Sequence, residues 1–143
     1  MLNRTFEFKT SGHLEPALRD PSTKALNADK LTGRWLNTNP ETDGITEIVI
    51  ERDGNEFWIS ASGAGEADPI AWPRTNARAI ANLEEEGGQR AVAFTATFEF
   101  GFMQAETYLR VNKGVLVIVV FHTFQDGSER SNYLNREFFY RPN

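Results

Sequence analysis

The chain contains two histidines far apart in sequence. One of them, His122, sits in an otherwise apolar run, VLVIVVFHTF. If a two-residue turn falls at Asp126-Gly127, outward pairing sets Ser131 opposite His122 and Tyr133 beside it. Asn135 and Glu137 continue the same face, and Thr107 lies across from Val120. An imidazole, a hydroxyl and a phenol on one face can orient a small molecule by hydrogen bonds. They can also simply satisfy one another or hold ordered water. A third possibility makes Ser131 a nucleophile and His122 its base. That reading lacks support, because the Gly-x-Ser-x-Gly elbow is absent. Glu137 lies about 20 Å from Ser131 along an extended strand, so no third group is expected to orient the histidine. No catalytic residue is therefore assigned.

These residues belong to 89–141, a stretch with almost no helical periodicity. Glycine-bearing turns cut it into four runs of strand character, and a meander of long strands tends to curl and close. Upstream, LTGRWLNT (31–38), ITEIVIER (45–52), NEFWISAS (55–62) and the alternating run 75–84 bring the expected total to eight strands. An eight-stranded up-and-down antiparallel β-barrel is the simplest closed arrangement of such a series. The fold class is all-β, with a barrel over 31–143 and an N-terminal arm over 1–30. Within the arm, TFEFK (5–9) alternates like a short strand, and Asp20-Pro21-Ser22 permits a short helix near 21–27.

Register separates the two faces. Turns at Asp53-Gly54, Gly87-Gly88, Gly101-Phe102, Lys113-Gly114 and Asp126-Gly127 agree on one apolar side, since a slip of one residue would invert everything beyond it. That inner side collects Phe57, Ile59, Phe94, Phe98, Leu109, Ile118 and Val120, together with Ile48, Ile50, Val92 and Leu83. These residues are expected to line a lumen, and His122, Ser131 and Tyr133 to give it direction. The outer side is charged, with Glu47, Glu51, Arg78, Glu106 and Arg110. Strand 115–124 is the exception, being apolar on both faces, so its outer side calls for cover by the arm or by another subunit. The series Phe94, Phe98, Phe100 and Phe102 reads as core in preference to an aromatic cage.

The loop GAGEADPIAWP (63–73) is long enough to act as a lid over the mouth, with Trp72 reaching inward. A plain surface connection is the alternative. Trp58 falls on the outer face beside Val49, at an interface or under the arm.

Composition narrows the function classes. The absence of cysteine rules out disulfides, thiolate catalysis and cysteine-type zinc sites. The net charge of −5 comes with scattered basic residues, so nucleic acid is not an expected partner. No run approaches the roughly 18 apolar residues of a membrane span, and MLNRTFEFKTSGH carries no signal-like apolar core. A cytoplasmic protein with no cofactor and no metal is the expectation. No lysine or arginine falls on the inner face except near Arg141, which favours a neutral ligand over an anion.

Gly33-Arg34-Trp35 opens the first strand and Glu137-Phe138-Phe139-Tyr140-Arg141 ends the last. A Gly-x-Trp there, with an arginine on the closing strand, resembles the lipocalin and wider calycin signature. The resemblance implies an arginine packed across the tryptophan at the closed end, a role that falls on Trp35 and Arg141, with Arg136 as the competing choice. Nearly all of 31–141 is also similar to small bacterial lipocalin-like proteins. The similarity rests on LTGRWLN, Gly44-Ile45-Thr46, Phe98-Glu99-Phe100-Gly101-Phe102, TFQDGS (123–128), Arg130, Tyr133 and Glu137-Phe138-Phe139. Many of those proteins carry a cysteine-rich loop ending in Asp-Trp-Gly after the third strand. Here the loop reads DPIAWP (68–73) without cysteine, so no redox or metal role carries over. The resemblance implies a fold and a generic role, the binding of a small hydrophobic molecule.

Three readings follow. The first is a carrier or sensor holding a small hydrophobic, neutral molecule in the lumen. The second is a protein-interaction or structural barrel, filled by its own side chains, with a homodimer surface on the outer face of strand 115–124. The third is an enzyme acting on an apolar intermediate through His122 or Tyr133.

Overall fold

The computed structural model describes residues 26–82 and 90–143. The expected strand 5–9, most of the helix 21–27, Leu83 and the turn at Gly87-Gly88 lie outside the described residues.

Nine strands follow in chain order: β1 (Gly33–Asn37), β2 (Ile45–Asp53), β3 (Glu56–Gly63), β4 (Ile70–Ala71), β5 (Thr75–Ala81), β6 (Ala91–Glu99), β7 (Met103–Asn112), β8 (Val115–Phe124) and β9 (Tyr133–Tyr140). Eight of them form a closed antiparallel barrel in which each pairs with the next along the chain and β9 returns to β1. The two-residue β4 pairs back onto Ser62 and Gly63 at the end of β3. Alternation drives the assembly. In β8, Leu116, Ile118, Val120 and His122 are buried while their neighbours are more exposed, the period-2 pattern of a wall with a packed inside.

The turns fix the register. Phe98 pairs with Ala105 and Asn112 with Val115, as turns at Gly101-Phe102 and Lys113-Gly114 require. Lys113 and Gly114 both have positive φ (53° and 81°), the geometry of a type I′ turn that suits the twist of adjoining strands. Two other turns are shifted. Asp53 pairs with Glu56, so the β2–β3 loop is Gly54-Asn55. His122 pairs with Tyr133, so the β8–β9 connection is longer than two residues. Both shifts are of two residues, which moves partners along a strand and leaves every side chain on its own face. Val92 departs from the expected pattern. A bulge between Ile80 and Ala81 changes the pairing from Ile80–Ala93 to Ala81–Ala91, so Ala91 joins the core and Val92 is only half-buried. Phe102 is also not core, since it is exposed on the β6–β7 turn.

The two ends of the barrel differ. The end where β1 starts and β9 finishes is filled. Phe57, Ile59, Phe94, Leu109 and Ile118 are buried in one cluster with Trp35, Leu116 and Phe139, and the Phe57 and Phe94 rings meet at 4.9 Å. Side chains can just fill an eight-stranded barrel, and this half is packed in that way. Residues 26–32 run across it. Ala28 and Leu31 are buried, Asn27 bridges to Arg90, and the Leu26 carbonyl accepts from Arg52. The guanidinium of Arg141 lies over the Trp35 ring, 4.4 Å from its centroid, and donates to the carbonyls of Thr32 (2.6 Å) and Lys30 (2.8 Å). The Trp35 indole donates to the Leu31 carbonyl at 2.9 Å. Arg136 points elsewhere, over Phe138. The connections 38–44, 64–74, 100–102 and 125–132 cluster at the opposite end.

Candidate functional site

At that opposite end a pocket of about 440 Å³ opens into the barrel. One side is apolar, formed by Ile45, Ala64, Trp72, Met103 and Val120. The other is polar, formed by His122, Tyr133, Asn135, Glu137 and the β1–β2 loop at Thr42–Gly44.

Glu137 anchors the polar side. Its Oε1 accepts from Asn37 Nδ2 at 2.9 Å and from the Thr42 hydroxyl. Its Oε2 accepts from the Ile45 amide and from Asn135 Nδ2, both at 3.1 Å. Four donors fill the roughly four lone-pair positions of a carboxylate. The sequence places these donors by simple means. Asn37 is two residues beyond Trp35 and therefore shares its inward face. Its side chain also donates to the Ile45 carbonyl (2.8 Å) and accepts from the Asn39 amide (2.8 Å), which folds the β1–β2 loop inward. Gly44 lets the loop approach closely, because a Cβ there would sit 2.5 Å from Glu137 Oε2.

Asn135 links this carboxylate to the histidine. Its Oδ1 lies 2.7 Å from His122 Nε2, while its nitrogen faces Glu137. His122 is only 7% exposed, and its ring stacks on Tyr133 with centroids 4.2 Å apart and planes 13° apart. His122 Nδ1 is the one buried side-chain polar atom without a hydrogen-bond partner among the described residues. An unmet buried polar atom of this kind costs about 1–3 kcal/mol.

The expected site residues are thus divided. Trp72, Val120, His122 and Tyr133 line the pocket. Phe98 lies against it through an edge-on contact with Trp72 at 5.1 Å. Phe57, Ile59, Phe94, Leu109 and Ile118 belong to the packed half below, so they support the pocket without facing it. Ser131 is not opposite His122. The two-residue shift in register gives that place to Tyr133 and leaves Ser131 exposed in the β8–β9 connection, which removes the serine–histidine pairing. The expectation that nothing orients the histidine is also overturned, because Asn135 does so and is itself fixed by Glu137. Asn37 and Thr42 are site residues that no sequence motif marks. The inward parity of Asn37 was readable from Trp35, but nothing local marks Thr42.

The loop after β3 is not a free lid. Ile70–Ala71 pairs with β3, and the Trp72 amide donates to the Ala61 carbonyl at 2.8 Å. Trp72 is thereby held over the mouth, edge-on to Phe98 and Phe100. On the outer wall, Trp58 is covered by the Arg74 guanidinium at 4.4 Å.

Among the described residues no group of three or more histidine and acidic side chains is placed to hold a metal ion. No helix in them is long and apolar enough to cross a membrane. Comparison of the chain with models of known protein families and with curated proteins finds no match.

Proposed function

We propose that this protein is a lipocalin-like carrier or sensor that takes a small, largely hydrophobic, uncharged molecule into the barrel mouth. The observation that carries this reading is the unequal filling of the barrel. Its floor is packed and capped, while its mouth holds a pocket of about 440 Å³ with an apolar side facing a hydrogen-bonded polar one. Small-molecule sites combine these two features, an apolar enclosure and a few fixed polar groups. Arg141 lying across Trp35 at the closed end is the arrangement the lipocalin resemblance implies, and it supports that kinship.

The test is extraction of the purified protein under denaturing conditions with mass spectrometry of the released molecules, together with titration by a fluorescent apolar probe. A Val120→Trp variant that keeps its far-ultraviolet spectrum should lose probe binding. Unchanged affinity in that variant would rule out the mouth as the site.

A second reading is favoured by the outer wall. Phe121 (47% exposed) and Leu134 (60% exposed) are cross-strand partners on β8 and β9, and Tyr108, Phe138 and Tyr140 are exposed on the same wall, with Arg136 lying over Phe138 between them. A shallow groove of about 460 Å³ bounded by Arg78, Glu106 and Tyr108 adjoins Phe121. Strips of this kind mark interaction surfaces, and a homodimer through β8 and β9 is compatible with an occupied mouth.

A further inference from the structure

The hydrogen bonds at the mouth have a direction, and that direction specifies the ligand's polar group. Glu137 accepts from four donors. Asn135 must therefore turn its NH₂ toward the carboxylate and its carbonyl oxygen toward His122. A carbonyl oxygen only accepts, so the 2.7 Å contact requires the hydrogen on His122 Nε2. In the neutral ring, Nδ1 then carries a lone pair. That atom is buried without a partner, on a histidine that lines the pocket. The next groups in this chain of contacts, the Asn135 amide and the Glu137 carboxylate, are engaged with each other and with the β1–β2 loop.

We propose that the ligand carries a neutral hydrogen-bond donor, a hydroxyl or N–H on an apolar body, which it gives to His122 Nδ1. The proposal rests on the reading of the mouth as a binding pocket and adds the chemistry of the guest. Tyr133, half exposed, stacks on the imidazole at the rim of the same pocket. An ether of the same shape has no hydrogen to give. A carboxylate brings acceptors to an acceptor and places a second anion near Glu137, with no lysine or arginine among the described pocket residues to offset it.

Three probes of one shape test this on the full chain: 2-naphthol, 2-methoxynaphthalene and 2-naphthoate. The naphthol should bind roughly tenfold more tightly than the ether, the worth of one hydrogen bond at a buried acceptor, and the carboxylate least well. In His122→Phe the ratio of naphthol to ether affinity should fall to about one, whatever the change in the absolute affinities. Nitrogen-15 spectra provide a readout that does not depend on the variant. In the free protein the His122 hydrogen should reside on Nε2, and the Nδ1 resonance should move with naphthol and stay fixed with the ether. Equal affinities for naphthol and ether, or a hydrogen on Nδ1 in the free protein, would overturn the donor assignment and leave the pocket reading standing. If none of the three probes bound, the pocket reading would fall and the donor assignment with it.

Discussion

Arg141 covers the indole of Trp35 with its guanidinium carbon 4.4 Å from the ring centroid, joining residues from the two ends of the barrel sequence. Gly33 makes room for it. A Cβ at that position would lie 2.6 Å from Arg141 Nη1, and the backbone there has φ of 118°. Gly33→Ala should therefore displace the arginine as well as strain the strand, costing about 2–4 kcal/mol. Arg141→Met, which removes the cation and its carbonyl contacts, should cost about 1–3 kcal/mol. Chemical denaturation of both variants checks the order, with Gly33→Ala the more severe.

Glu137 should be a larger determinant of stability than its position at the mouth suggests. Replacing it with alanine strands donors from Asn37, Asn135, Ile45 and Thr42, a loss of about 3–5 kcal/mol. Glu137→Gln should cost less, because one of its two heteroatoms still accepts. Gly44→Ala should reproduce part of the effect by pushing the β1–β2 loop off the carboxylate. Thermal melts of the three variants give the comparison.

The β8–β9 connection carries a pH signature. The Asp126 carboxyl is pulled down to about 2, first by its hydrogen bonds from Ser128 and then by the Arg130 guanidinium. Its folded value is depressed below the usual carboxylate range near 3.9, so the turn's contribution is fully present above that range. It is lost as pH falls through about 2. Carbon-13 titration of the Asp126 carboxyl should show that low midpoint, and Ser128→Ala and Arg130→Ala should each move it upward.

Trp72 should report occupancy. It lines the pocket and packs edge-on against Phe100 at 5.0 Å, so a guest in the mouth changes its surroundings. Binding of 2-naphthol should alter tryptophan fluorescence in the native chain, and Trp72→Phe should lose most of that change. Trp35, sealed under Arg141 in the floor, should contribute little.

The apolar outer strip predicts association. Sedimentation of the native chain should show a reversible dimer, and Leu134→Lys with Phe121→Glu should return it to monomer without altering probe binding. A strict monomer at high concentration would dismiss the β8–β9 interface.

Much of the barrel was legible in the sequence because strand facing depends on parity. The turns at Gly101-Phe102 and Lys113-Gly114 fall where the sequence sets them, and those after β2 and β8 differ by two residues, a shift that parity conceals. The same slip was fatal for Ser131, since a pairing partner depends on absolute register. Val92 departs from its expected face because a bulge has no mark of its own in an apolar run. Which inward residues fall in the packed floor and which in the hollow mouth is not readable, for a different reason. Phe94 and Val120 share one inward face, and only their height along the barrel separates core from pocket. The Glu137 network was half visible, in the inward stripe of Asn135 and Glu137. Its other half depends on how the 38–44 loop folds, which local sequence does not dictate.

The closing seam has a kinetic consequence. β1 and β9 share only two paired rows, Leu36–Tyr140 and Asn37–Phe139, whereas β7 and β8 share ten. Bringing those ends together closes a loop of about a hundred residues, which carries an entropic cost. Asn37–Glu137 at the mouth and Thr32–Arg141 at the floor span the same seam. The polar side of the pocket therefore comes into being only as the ring shuts. A guest lodged against it should act as a latch, slowing the rate at which the barrel unzips along this short seam.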